Sequence, residues 1–464
     1  MNAIRGITTE ALPMLRTYFI YSFLQSLILV CCLTSLSVAH ANEDSSELNA
    51  LQQKVKQLEQ QLQAARDALS NAEQQRDTAL KQVDQTQDKL AEVNAKDEGI
   101  RFGPLKIGGA MRANYVVGDY PESDTGAASR AVEDGGDFAL DTFRVNLDYQ
   151  KDKWLGKVEY RWYSSYNFLH TGWVGYQFDE NRQLQVGVNR VPFGPGPYGV
   201  SQSWLFDQHY YLGLSDDMDL GVKLTQQLGR LKLDTAYYIS DEGSYKGASS
   251  DSARYSYDVV NESGQGYEEK NQFNIRAIYN LPGETLNTDF GVSLQYSELS
   301  SKGVQSDGDH YAASMHMVNK WNNFTLASQI TYYDYDVSAL QPLGTDKLVQ
   351  MGAYDFPSTA AAEAWIPAIS LSYYQATNNI AWLDYVIPYI EYSSVVKAES
   401  EFNDSRLATL GAAFGYGGWY IYTDWAYSTG NEFVGGDTTF GDRLGANAED
   451  EWESRFNINF GYYF

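Results

Sequence analysis

Cysteine is nearly absent: only Cys31 and Cys32 occur in 464 residues, and both lie in an apolar stretch near the N-terminus. Beyond that stretch the chain can form no disulfide, no thiolate nucleophile and no cysteine-ligated metal site. Long hydrophobic runs are missing too. After residue 40 no window of about eighteen consecutive apolar residues exists, which excludes helical membrane spans there. Basic residues are few, 34 Lys and Arg against 60 Asp and Glu, for a formal charge of −26, so nucleic acid is a poor partner. The histidines beyond the leader, His170, His209, His310 and His316, fall in no recognisable catalytic motif, so no enzyme activity is expected. Asp216-Asp217-Met218-Asp219 and Asp307-Gly308-Asp309 lack the ligand spacing of a calcium loop and read as solvated acidic loops. Neither a metal nor a cofactor is expected.

The first segment has Arg5 and Arg16, an apolar core around Leu24 to Leu36, and then Ala39-His40-Ala41. That order fits a secretory signal over residues 1–41. Val30 stands where a lipoprotein signal wants a small residue before its cysteine, so lipidation is not expected.

From Leu48 to Val93 there is no Gly, Pro or aromatic residue, and Gln, Glu, Lys, Ala and Leu dominate. Heptad positions counted from Leu48 and from Leu51 give fourteen seam sites, twelve of them apolar, with Arg76 and Thr86 the exceptions. A seam so regular predicts a self-associating α-helical coiled coil within residues 42–98. A solvated single helix is the alternative.

What is abundant points elsewhere: 36 Tyr, 10 Trp and 39 Gly against 11 Pro. Two-residue alternation begins at Leu105 and persists to the end, where Phe456, Ile458, Phe460, Tyr462 and Phe464 share one side and Arg455, Asn457, Asn459 and Gly461 the other. No following helix or sheet is at hand to cover that apolar side, but lipid can cover it. Strands of about ten residues, greasy outside and polar inside, are the unit of an outer-membrane barrel, and terminal aromatics with Trp162, Trp382, Trp419 and Trp425 fit its interfacial girdles. Phe460-x-Tyr462-x-Phe464 also resembles the C-terminal insertion signal of bacterial outer-membrane proteins.

Sixteen such strands are predicted over residues 99–464, with long connections at 118–137, 191–218, 240–270, 334–364 and 428–452 alternating with short ones at 150–153, 180–182, 227–229 and 417. The expected fold is therefore all-β and transmembrane, a 16-stranded antiparallel outer-membrane barrel carrying an N-terminal periplasmic coiled coil. About sixteen strands enclose an aqueous channel where about eight are filled by their own side chains, so width implies passage of small hydrophilic solutes. Placing the apolar phase in lipid turns Arg112, Arg144, Lys157, Arg161, Lys223, Arg276 and Arg455 inward, with Lys106 and Lys232, against Asp148, Glu159, Asp219, Asp234, Glu391 and Asp424. The strand wall is mildly cationic and favours small anions, unless these charges simply pair across neighbouring strands. Connection 191–218 carries Phe193, Tyr198, Trp204, Leu205, Phe206, Tyr210 and Tyr211 along with Asp207, His209 and Asp216. So many rings are poorly placed on a solvated surface, so this loop is expected to fold into the barrel and narrow it, with Arg190 at a bulge or the rim. Subunit contact is the other explanation for those rings.

Leu184-Gln-Val-Gly-Val-Asn-Arg-Val-Pro-Phe-Gly194 resembles the strand and Pro-Phe-Gly loop entry of the phosphate-selective porin O and P family, and Phe143-Arg144-Val145 and Lys157-Val158-Glu159-Tyr160 are similar in style. The coiled coil ahead of a barrel is similar to coiled-coil-bearing trimeric porins implicated in dicarboxylate uptake. The resemblance implies a homotrimer in the outer membrane passing phosphate or dicarboxylate-like anions, although the arginine ladder and lysine cluster of the phosphate porins are not visible here. The competing readings are a barrel that merely anchors a coiled-coil spacer to the cell wall, and a barrel-embedded enzyme.

Overall fold

The computed structural model describes residues 100–119 and 136–464 apart from 263, 378, 436–440 and 449, together with helical residues 53, 54, 56–61 and 63. The chain divides into two units, Met1–Gln87 and Asp88–Phe464. The described helical residues of the first are exposed, Leu58 among them. The rest of the predicted coiled coil and the signal segment lie outside the described residues. No helix among the described residues is long and apolar enough to cross a membrane.

The second unit is a closed antiparallel barrel of sixteen strands. In chain order these are β1 (Leu105–Gly118), β2 (Asp137–Lys151), β3 (Trp154–Trp162), β4 (Asn167–Asp179), β5 (Arg182–Arg190), β6 (Met218–Leu228), β7 (Leu231–Asp241) and β8 (Gly266–Leu281). There follow β9 (Asn287–Lys302), β10 (Gly308–Trp321), β11 (Phe324–Asp336), β12 (Glu363–Tyr373), β13 (Tyr385–Lys397), β14 (Ser405–Tyr416), β15 (Trp419–Thr429) and β16 (Glu453–Tyr463). Each pairs with its chain neighbours, and β16 closes on β1 in the register Ala110↔Tyr463 to Gly118↔Arg455. The strand count matches the alternation in the sequence. Several strands run longer than it indicated: β4 begins at Asn167 rather than near 172, and β8 at Gly266 rather than near 271.

The side-chain pattern is inverted relative to a soluble sheet. Along β9, Phe290, Val292, Leu294 and Tyr296 are exposed, while Gly291, Ser293, Gln295 and Ser297 between them are buried. The same holds across the barrel: Phe138, Leu140, Ile390 and Leu410 are each about 60% exposed. At roughly 25 cal/mol per Å² of apolar surface, so wide a band cannot stand in water. A lipid bilayer is the solvent that fits it. Trp162, Trp382, Trp419 and Trp425 all lie on the exposed outer surface, as girdle residues do.

An apolar core exists nonetheless, and loops supply much of it. Phe193, Tyr210, Tyr211, Leu212 and Leu214 from the segment after β5 cluster with Tyr255, Tyr257 and Val259 from the segment after β7. Val349, Met351 and Phe356 from the segment after β11 join them. This last segment forms a hairpin, Leu348–Ala353 with Phe356–Ala361, against which Asp258–Val259 pairs as a third strand. At its tip Tyr354 and Asp355 both take positive φ, 52° and 70°, a turn that usually demands Asn or Gly. The Asp355 carboxylate compensates by accepting from the backbone N–H groups of Ala248 and Ser249, both at 2.9 Å.

Candidate functional site: the constriction

Segment 191–217 leaves the end of β5 and is tied at its base, where the Val191 N–H donates to the Asp217 carbonyl at 2.9 Å. Between these points it reaches wall after wall. The Gly194 N–H donates to Ser293 Oγ of β9 at 3.1 Å, and Arg276 Nη1 of β8 donates to the Gly194 carbonyl at 3.3 Å. Ser201 Oγ donates to Glu391 Oε2 of β13 at 2.6 Å, and the Gln202 N–H donates to the same carboxylate. The Trp204 N–H donates to Asp424 Oδ2 of β15, and the Gln208 N–H to Ser393 Oγ of β13, each at 3.1 Å. Because Ser293, Glu391, Ser393 and Asp424 are buried polar groups of the strands, and Arg276 is half-buried beside them, the segment runs inside the barrel. Gly213 makes its closest approach possible: its φ is +68°, and a Cβ there would sit 2.3 Å from the Tyr257 carbonyl oxygen of the neighbouring loop.

The segment borders a cavity of about 120 Å³ lined by Arg112, Asp141, Arg161 and Arg455 from the strands. Trp204, Phe206, Tyr210, Tyr211, Tyr255 and Tyr354 are among the loop residues on its wall. That volume holds several water molecules. Arg112 lies 4.4 Å over the Trp204 ring and 3.2 Å from Asp141, and donates to Thr142 Oγ1 at 2.9 Å. Arg161 lies 4.5 Å over the Tyr255 ring and reaches Glu159 at 2.6 Å, while Arg455 Nη1 donates to the Phe433 carbonyl at 2.9 Å. Stacking and pairing hold the guanidinium planes in place, which suits recognition of an anion better than a mobile lysine does. Tyr210 and Tyr354 hydroxyls meet across the loops, and burial beside Tyr255 and Tyr354 pushes the Tyr210 phenol well above its usual pKa, so it stays neutral.

The other predicted residues are distributed elsewhere. Arg144 reaches Glu159 at 3.3 Å and lies 5.0 Å over Tyr463. Lys157 pairs with Asp148 at 3.7 Å, and Arg276 with Asp234 at 2.7 Å. Lys223 Nζ donates to the Arg190 carbonyl at 2.6 Å. Arg190 stands at the strand's end and grips Asp216 at 2.7 Å. Burial would raise the Asp216 carboxyl, but Arg190 and His170 bring it below its usual value. Phe193 is packed in the core, and Asp207 and His209 are buried with it: Asp207 Oδ1 lies 2.8 Å from His209 Nδ1, whose Nε2 lies 2.8 Å from Thr331 Oγ1. These three therefore fix the loop from within rather than face the cavity; Trp204 does face it.

Two changes follow for the inward-facing charge. Glu391 and Asp424, inward-facing by alternation, are consumed in tethering the loop and are buried beneath it. Asp141, facing lipid by alternation, turns inward because β2 carries a bulge: Arg112 pairs with Thr142 but Ala113 with Leu140. The tyrosines from segments 242–265 and 337–362 had no signal in the first of these, which reads as Ser, Gly and charge. In the second, the alternation of Val349, Met351 and Ala353 was the available cue.

No family model matches the chain, and no curated protein matches it in sequence. Among solved structures it is similar to the outer membrane channel DcaP of Acinetobacter baumannii, at 8% identity and a TM-score of 0.54, covering 79% of this chain and 99% of that one. It is also similar to Salmonella typhi OmpF, solved with daunomycin, at 12% identity and a TM-score of 0.51, covering 78% of this chain and 97% of that one. At such identities the likeness is one of fold, and the fold is that of the outer-membrane porins.

Proposed function

We propose that this chain is an outer-membrane porin, a passive diffusion channel for small hydrophilic solutes that favours small anions of the phosphate or dicarboxylate kind. The observation that carries the reading is the cavity wall: three guanidiniums, Arg112, Arg161 and Arg455, against a single carboxylate, Asp141. A dianion entering there exchanges part of its hydration for fixed, stacked donors at low cost in reorganisation. An acid–histidine–hydroxyl chain does exist in Asp207, His209 and Thr331, but their side chains are buried where the loop meets the wall, so it serves as a brace and not as a nucleophile system. Purified protein in planar bilayers should give stepwise openings, whereas a plugged anchor would give none.

In this reading residues 1–41 are a secretory signal, 42–98 a periplasmic coiled coil and 99–464 the barrel, assembled as a homotrimer. Deleting residues 42–98 should leave insertion intact, because β16 is untouched, but should lower the temperature at which the oligomer dissociates in mild detergent. An unchanged dissociation temperature would assign the segment a different task, such as a link to the cell wall.

A further inference from the structure

Asp217 and Asp219 do not lie in a solvated acidic loop: they are 4% and 2% exposed. With Asp258, which is 2% exposed, they place carboxylate oxygens within 4.8 Å of one another. Ligands held at about 2.3–2.6 Å from a single calcium ion can be at most about 5 Å apart, so the spacing is that of a shared cation. Acidic clusters are common, and proximity alone decides nothing. A second observation does. Among the described residues the buried carboxylate oxygens without a hydrogen-bond partner are Asp217 Oδ1, Asp219 Oδ1 and Glu242 Oε2. Glu242 is 5% exposed, its other oxygen accepts from the Ser256 N–H at 2.8 Å, and Ser256 Oγ in turn accepts from the N–H of Met218, which stands between Asp217 and Asp219, at 2.8 Å. Two of the orphaned carboxylate oxygens thus belong to the cluster itself, and the third is on a residue held beside it through Ser256.

Among the described residues the protein donors do not balance its charge. Gln272 Nε2 donates to Asp219 Oδ2 at 2.7 Å and is uncharged. Arg254 reaches Asp258 at 3.0 Å, but the same guanidinium also serves Asp241 and Asp251. A buried, uncompensated set of acids is costly, and a hard divalent cation with oxygen ligands relieves that cost. Nitrogen and sulfur ligands are missing from the set, which disfavours zinc.

We infer that Asp217, Asp219 and Asp258, with Glu242 beside them, form a calcium site that clamps the root of segment 191–217 to segment 242–265. These two segments carry Trp204 and Tyr255 to the cavity, so the ion would hold the constriction in shape; the inference rests on the fold and not on which solute passes.

The test uses full-length protein refolded free of lipopolysaccharide, whose phosphates bind calcium themselves, and stripped with EDTA. Calorimetric titration with CaCl2 should show one site per chain, and Ca²⁺ should raise the thermal unfolding temperature. Terbium should luminesce through the adjacent Tyr255 and Tyr257 and be displaced by calcium. Asp217→Asn with Asp258→Asn should abolish that luminescence, and Glu242→Gln should weaken it, in protein that still shows the heat-modifiable migration of a folded barrel. If those variants fail to fold, the wild-type titration decides alone: absence of a stoichiometric site, or calcium without effect on unfolding, overturns the inference. Undiminished luminescence in the folded double variant would do the same, placing the metal on exposed acids instead.

Discussion

Serine in place of both Arg112 and Arg161 should move the zero-current potential across a KCl gradient decisively toward cations. A unit charge about 4 Å from an ion contributes roughly 4 kcal/mol at an effective dielectric near 20, before screening over a Debye length of about 8–10 Å. If hydration and counterions leave only about 1 kcal/mol of this from the pair, the permeability ratio still changes about fivefold. Asp141 would lose Arg112 at 3.2 Å and Glu159 would lose Arg161 at 2.6 Å while keeping Arg144 at 3.3 Å, so both changes push the local potential the same way. Lys157→Ser is the control, because that lysine is paired with Asp148 and lies off the cavity wall, so it should change the potential little. A wild-type channel that already prefers cations would show that the −26 total charge outweighs the local wall, and the anion assignment would fail while the porin reading stood.

The barrel was legible because lipid reverses the burial rule without altering its period. Strand β16 alternates Arg455, Asn457 and Asn459 inward with Phe456, Ile458 and Phe460 outward, and nothing but a two-residue repeat is needed to see it. Legibility failed where that repeat breaks. The bulge at Asp141 reverses the phase of half a strand, moving Phe138 and Leu140 to the lipid side and bringing a carboxylate to Arg112, a switch that no residue type announces. A second bulge, between Glu159 and Tyr160 opposite His170, buries that histidine beside Thr171 in the same way. Inward charge was also misjudged for Glu391 and Asp424, since a sequence shows that a carboxylate faces the lumen but not that a loop will cover it. Aromatic content did single out 191–218, yet tyrosines spaced two apart in a polar loop, Tyr255 and Tyr257, look solvent-exposed until a partner hairpin is known to pack on them.

Loss of the terminal ring should have the other large effect. Phe464 exchanges backbone hydrogen bonds with Gly109 of β1, donating at 3.0 Å and accepting at 2.8 Å, so the last residue belongs to the seam that closes the barrel. Its ring is 40% exposed on the outer surface and stacks near Tyr462, with centroids 6.4 Å apart. Gly109 has no side chain where that ring passes: a Cβ there would sit 2.8 Å from the phenyl edge. Serine at 464 would keep the backbone pairing while removing most of an aromatic side chain from lipid, a loss of about 1.5–3 kcal/mol if the ring were fully covered and less at its actual exposure. A finished barrel tolerates that. Assembly should not, because the outward-facing side of Phe460, Tyr462 and Phe464 is the part of the chain available for recognition before the seam closes. Phe464→Ser should therefore lower the amount of folded protein in the outer membrane severalfold, while protein refolded in detergent melts within a few degrees of wild type. Normal surface abundance would show that the terminal aromatic is only a lipid-facing residue, and an equal failure in detergent would show that the seam itself, and not recognition, depends on it.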